Sequence, residues 1–266
     1  QAVDHYSFDL AALWKKFPFI PQWRRDDIMV SYAPKGGSVG KHFDFYDVFL
    51  VQGYGHRRWQ LGQMCDADTA FVPGQPLKLL PDMEVNFDEV LAPGDLLYVP
   101  PGLSHYGVAE DDCLTFSFGF RMPNITDMMD RVSDKFSEDQ LLRNPLTDIL
   151  DAIISLMSEP KYPENIPEAE EIGTGDLEEA LDQGYMLMLE PASRLLYTDE
   201  DNQLLFWANG EALYISESFA AYLKRLADGE ILVLDQNLND EEILEDIAQL
   251  LTDSILMLLP PEEEQN

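Results

Sequence analysis

The chain has 266 residues, 17 Lys and Arg against 50 Asp and Glu, and a formal net charge of −33, with four His and two Cys. That balance argues against direct nucleic-acid binding, which needs clustered Lys and Arg on the phosphates. It favours a cationic protein partner drawn in by an acidic field, although spread-out acidity serves solubility equally well. No run reaches the ~20 apolar residues of a membrane-spanning helix, no signal peptide is legible, and two separated cysteines give no disulfide framework, so a cytoplasmic protein is expected.

In chain order, residues 4–16 predict an amphipathic helix, with Phe8, Leu10, Leu13 and Trp14 at helical spacing and Pro18 and Pro21 ending it. Residues 26–121 then give eight or so short apolar and aromatic runs divided by Gly, Pro and Asp. That spacing predicts an all-β barrel or jelly roll. Inside it, Gly36-Gly37-Ser38-Val39-Gly40-Lys41 leads to His42-Phe43-Asp44, and Gly94 to Gly102 leads through a Pro-Pro-Gly turn to His105. Positions i and i+2 of a strand share a face, so His42 and Asp44 are expected to point into one space.

Two imidazoles and one carboxylate occupy one face of an octahedral metal and leave three positions open, the arrangement of non-haem Fe(II) oxygenases. An H-x-D triplet alone is a weak signal, and half-buried barrel histidines are the bland alternative. The order of Gly-rich turn, H-x-D, β-runs and strand-Pro-Pro-Gly-x-x-His is more specific. A structural zinc site would close four ligands with Cys or His, and Cys65 and Cys113 have no CxxC partner. Within Gly55-His56-Arg57-Arg58-Trp59, strand alternation sends only one of the two arginines inward. His5 and His56 read as surface or packing residues.

The run Pro34 to Phe49, the segment Gln52 to Trp59, the stretch Leu91 to Gly102 and Ser117-Phe118-Gly119-Phe120-Arg121 together resemble the JmjC-type ribosomal oxygenases, and within them the bacterial YcfD-like protein arginine hydroxylases. The resemblance is dense over residues 1–125 and looser beyond. It implies a double-stranded β-helix (cupin/JmjC jelly roll) and an Fe(II)- and 2-oxoglutarate-dependent dioxygenase, with O2 as co-substrate. His42, Asp44 and His105 would be the metal ligands and catalytic centre. The resemblance selects Arg57 for the far carboxylate of 2-oxoglutarate, where a guanidinium fork suits the job. Ser31 is a candidate hydroxyl partner there, with Thr115 and Ser117 behind it. Tyr46 and Asp47 are candidate substrate-binding residues. The implied reaction is β-hydroxylation of an arginine in the sixteenth large-subunit ribosomal protein, a basic substrate. A histidyl hydroxylase, a lysine demethylase or a non-catalytic metal-binding cupin stay open as alternatives. The chain opens at Gln1 without Met, and the family carries more chain ahead of this point, so part of the barrel flank is expected to be missing.

The domains expected are 1–123 as the JmjC/cupin catalytic domain, 124–188 as a helical region and 189–266 as a winged-helix-like module. Helices are predicted over 126–136, capped by Asn124 or Thr126, over 145–157 and over 177–186, with 158–174 as a linker. By resemblance the helical region dimerises, so a homodimer is expected. In the last module, short strands are predicted at 194–197, 203–208, 212–215 and 231–234 and helices at 218–227 and 240–252. Those helices carry only Lys224 and Arg225 as bases, a poor face for a phosphate backbone, so a structural or protein-interaction role is expected.

Overall fold

A computed structural model describes residues 1–122, 124–138, 145–200 and 203–261. The chain forms two compact units: residues 1–11 with 24–122, and residues 12–23 with 123–266. No described helix is long and apolar enough to cross a membrane.

The first unit is a jelly roll. Strands β1 (Arg25–Ala33), β2 (Asp47–Tyr54), β5 (Leu96–Val99) and β7 (Cys113–Phe120) form an antiparallel sheet in the order β1-β7-β2-β5. Strands β3 (Arg57–Met64), β4 (Phe87–Leu91) and β6 (Leu103–Ala109) form a second, in the order β4-β3-β6. Residues of both sheets line one cavity, Ser31, Leu50 and Thr115 from the first and Arg57, Trp59 and His105 from the second. Alternation explains the selection. On β1, Asp27, Met29 and Ser31 face inward, while Ile28 between them is fully buried on the other face.

Two expectations are corrected here. His42 joins the smaller sheet only as an isolated bridge to His105, and residues 43–46 are not strand. The eighth run is thus a single rung on the free edge of β6. Residues 4–16 are not one helix: a 3-10 turn at Val3–His5 precedes a single α turn, α1 (Phe8–Ala11), and Ala12–Lys16 is again 3-10. Near the start, tertiary hydrogen bonds outcompete helix propensity. The Asp4 carboxylate accepts the Ile28 N–H at 2.9 Å, and Asp27 accepts the Ala2 N–H at 2.8 Å.

In the second unit, α2 (Ile125–Glu138) begins with the Asn124 side chain accepting the Thr126 N–H at 2.9 Å, an N-cap. It packs against α3 (Pro145–Ser158) through Val132, Ala152 and Leu156. Next, α4 (Thr174–Asp182) stops before Gly184, and Met186, expected in that helix, opens strand β8 (Met186–Leu189). β8 lies between β12 (Leu232–Val233) and β13 (Leu256–Leu259), while β9 (Leu195–Glu200), β10 (Gln203–Ala208) and β11 (Glu211–Leu213) form a meander. Helices α5 (Glu217–Ala227) and α6 (Glu241–Thr252) are capped by Ser216 and Asp240. Phe219, Leu223 and Leu226 on α5 meet Ile243, Ile247 and Leu250 on α6 at helical spacing. Leu177 of α4 and Leu187 and Leu189 of β8 belong to this same core. The division expected at 188/189 therefore falls within β8, and α4 packs with the C-terminal module. The other division, at 123/124, touches Pro123, which lies outside the described residues.

Candidate active site

Backbone ties bring the trio together. His42 and His105 exchange backbone hydrogen bonds of 3.1 and 2.8 Å, and the Asp44 carbonyl accepts the Gly102 N–H at 2.7 Å. On the opposite side, the Lys41 carbonyl accepts the Leu80 N–H at 2.8 Å. The segment carrying the H-x-D triplet is thus held on both flanks without being a strand. Its ligand atoms and that of His105 all lie within 4.8 Å of one another, with the imidazole centroids 4.2 Å apart and His105 Nε2 3.7 Å from Asp44 Oδ2.

Hydrogen bonding sets both tautomers. His42 Nδ1 sits 3.0 Å from the Gly40 carbonyl and His105 Nδ1 3.1 Å from the Leu103 carbonyl. A carbonyl only accepts, so each Nδ1 carries the proton and each Nε2 keeps a lone pair for a metal. Burial, and then the neighbouring His42, push the pKa of His105 down to about 4, so the ring is a neutral ligand at physiological pH. Two imidazole nitrogens and one carboxylate oxygen fit a divalent first-row metal with open positions, which is the donor set Fe(II) requires here.

Arg57 faces the same cavity, whose volume is about 160 Å³. It is 4 % exposed and makes no ion pair among the described residues. Its Nη1 donates to Ser31 Oγ at 3.2 Å and to Thr115 Oγ1 at 3.5 Å, its Nη2 to the Gly107 carbonyl at 3.5 Å, and its Nε to none of the described residues. Burial lowers its pKa from the usual guanidinium value. A desolvated cation among neutral partners is costly unless an anion joins it. Arg58 faces outward onto Asp88.

Ser31 and Thr115 are cross-strand partners under Arg57, and Ser117 lines the cavity one inward position further along β7. Tyr46 lines the cavity near Asp44, with its hydroxyl pKa raised by burial and then by Asp44. Asp47 is not brought to the site. Strand alternation turns it to the outer face, where Arg24 holds one oxygen at 2.7 Å and the Tyr98 hydroxyl donates to the other at 2.6 Å. His56 pairs with Asp111 at the surface. Sequence reasoning missed Trp59 and Asp27, which also line the cavity. For Trp59 a signal existed: it lies two positions from Arg57 and so shares its face.

Comparison with known proteins agrees with this architecture. The JmjC domain family matches residues 12–128 and the ROXA-like winged helix matches residues 140–257. A Haemophilus influenzae protein named "Probable ribosomal oxygenase" is 43 % identical over 304 residues, covering 96 % of this chain and 74 % of its own. The Escherichia coli ribosomal protein uL16 3-hydroxylase is 40 % identical over 148 residues, covering 56 % of this chain and 39 % of its own. The structure of Escherichia coli YcfD, a ribosomal oxygenase, in complex with cobalt and 2-oxoglutarate superposes with a TM-score of 0.79 at 28 % identity, over 97 % of this chain and 77 % of that one. This chain belongs to the JmjC-domain ribosomal oxygenases, with a barrel followed by a winged helix.

Proposed function

We propose that this protein is an Fe(II)- and 2-oxoglutarate-dependent protein hydroxylase acting on an arginine β-carbon of a basic large-subunit ribosomal protein, the counterpart of uL16. One observation carries this reading: a buried guanidinium with only neutral partners shares a cavity with two Nε2 lone pairs and a carboxylate. A non-catalytic cupin has no use for that cation.

In this reading His42, Asp44 and His105 hold the metal, and Arg57 grips the far carboxylate of 2-oxoglutarate with Ser31 beside it. Fe(II) held there would activate O2, the oxidant, with one oxygen atom going into succinate as 2-oxoglutarate loses CO2 and the other into the substrate C–H bond. The chain's part is to fix both partners and exclude water. The apolar walls from Val48 and Leu50 lower the dielectric around the ligands. Tyr46 lines the substrate side. A net charge of −33 favours encounter with a cationic ribosomal protein.

The same reading places the protein in the cytoplasm, with its substrate, as a homodimer through the helical region. Exposed Ile125 and Met129 on α2 and Leu150 on α3 support that interface. The winged helix is a structural or protein-interaction module, since Lys224 and Arg225 are paired with Asp199 and Glu230.

The test is succinate formation from 2-oxoglutarate with Fe(II) and ascorbate, with and without peptides from large-subunit ribosomal proteins, His42→Ala serving as control. Peptide-dependent turnover with a mass gain of one oxygen on an arginine supports the reading. Turnover with oxygen on a histidine, or methyl loss from a lysine, replaces its substrate. No turnover with any peptide overturns it.

A further inference from the structure

One side chain bridges the gap between the anion anchor and the metal-ligand trio. Trp59 is 5 % exposed, its ring lies 4.9 Å from Arg57 Cζ, and its centroid lies 6.1 Å from that of His105. The hydrogen bonds of the Arg57 guanidinium are long, from 3.2 to 3.5 Å, and all go to neutral oxygens. Bonds of that length orient a group weakly. The aromatic face is therefore the firmest restraint on the cation.

The opposite strand is shaped for this stack. A Cβ at Gly107 would lie 2.7 Å from two carbons of the Trp59 ring and 2.8 Å from Arg57 Nε. Only a residue without a side chain lets β6 pass this close to both groups.

We propose that Trp59, seated on Gly107, is the positioning residue for Arg57: the indole face sets the guanidinium plane and so determines affinity for the far carboxylate of the keto acid. The inference rests on the function proposed above. By holding the cation through its face, the ring takes up none of its N–H groups and no charge, which a salt-bridging residue would. The present hydrogen bonds, all to neutral oxygens at 3.2 to 3.5 Å, can yield to a carboxylate. The competing role is plain packing, because Trp59 also touches the Val48, Leu50 and Val99 cluster.

The experiment is calorimetric binding of 2-oxoglutarate to the Mn(II)-loaded full chain without oxygen, together with Mn(II) affinity. Trp59→Leu is expected to weaken 2-oxoglutarate binding about tenfold with Mn(II) affinity unchanged, and Trp59→Phe, which keeps an aromatic face, to stay within about threefold of the original. In an Arg57→Lys background, Trp59→Leu is expected to cost far less, because its partner has gone. Should Trp59→Leu not fold, Trp59→Met carries the same test. Unchanged affinity in the non-aromatic variant, equal losses with Phe and Leu, or the same loss in the Arg57→Lys background overturns the positioning role. Loss of binding in Arg57→Ala alongside intact binding in Trp59→Leu overturns only this inference. A parent chain that takes Mn(II) but no 2-oxoglutarate overturns the functional reading and this inference with it.

Discussion

Arg57 and Arg58 are consecutive on β3, yet their guanidiniums lie in opposite electrostatic worlds. Arg58 is on the surface, where Asp88 accepts two of its N–H groups at 2.6 and 2.7 Å. That pairing raises the arginine's pKa and, with Gln60, holds Asp88 down to about 2. Arg57 is buried among hydroxyls and a carbonyl, and burial alone dominates its shift. One cation is already neutralised. The other is available to an anion from outside the chain.

This asymmetry predicts opposite outcomes for like substitutions. With Arg57 gripping the far carboxylate as proposed, Arg57→Ala would remove a two-pronged charge-assisted contact, and 2-oxoglutarate affinity is expected to fall about 100-fold or more. Arg58→Ala is expected to leave that affinity and Tm almost unchanged, because an exposed ion pair contributes little. Titration calorimetry of both variants decides the matter. Equal losses would contradict the assignment.

For the metal, His105→Ala and Asp44→Ala each remove one donor of three. Each is expected to lower Mn(II) or Co(II) affinity by about two orders of magnitude or more and to abolish turnover, while leaving far-ultraviolet circular dichroism intact. Phe43→Leu, a change at the residue between the ligands that packs on Phe71 and Phe45, is expected to retain metal. If the metal stays bound in the His105 variant, the trio is not the site.

How far the sequence revealed this site follows from the range of each interaction. On β3, strand alternation is local, so it was legible that only one of Arg57 and Arg58 turns inward. The resemblance, not parity, chose Arg57, and Ser31 was a candidate from its strand ahead of the Gly-rich turn. The trio was legible from the order of its flanking turns, but not its backbone, since a single bridge to His105 replaces the expected strand. Asp47 is one position out of step with His42, Asp44 and Tyr46, so it could serve the site only if the strand bent there. It stays on the outer face, held by Arg24 and Tyr98 from distant elements. The helix expected over 4–16 failed because Asp4 and Asp27 are claimed by tertiary hydrogen bonds that no local pattern encodes. Met186 to Leu189 is apolar throughout, so helix and buried strand could not be told apart there by period.

The turn that delivers Arg57 is equally specific. Gly55 has φ +62, and a Cβ there would lie 2.2 Å from the Asp112 carbonyl oxygen. Gly55→Ala combines left-handed backbone with a clash against main chain, so a loss of about 2 kcal/mol or more is expected in denaturant unfolding. Gly74→Ala, where φ is +75 but nothing lies within 4 Å, bears only the backbone part and is expected to cost about 1 kcal/mol. If the two variants unfold alike, the contact with Asp112 is not what fixes the turn.

The winged-helix unit carries its own pH dependence at Glu190. Its side chain is 6 % exposed, and burial raises its pKa above the usual carboxylate value, with the Ala192 N–H opposing the shift. The folded state therefore binds the proton more tightly than the unfolded chain. Between the unfolded and folded pKa values the native state holds more protons, so stability falls as pH rises through that window and stays lower above it. Glu190→Gln keeps an acceptor for the Ala192 N–H and removes the charge. It is expected to raise Tm at pH 7.5 and to change it little at pH 4, where the native glutamate is largely neutral. A variant less stable than the parent at pH 7.5 would mean that the buried carboxylate is stabilised by a charge or hydrogen bond stronger than that of Ala192.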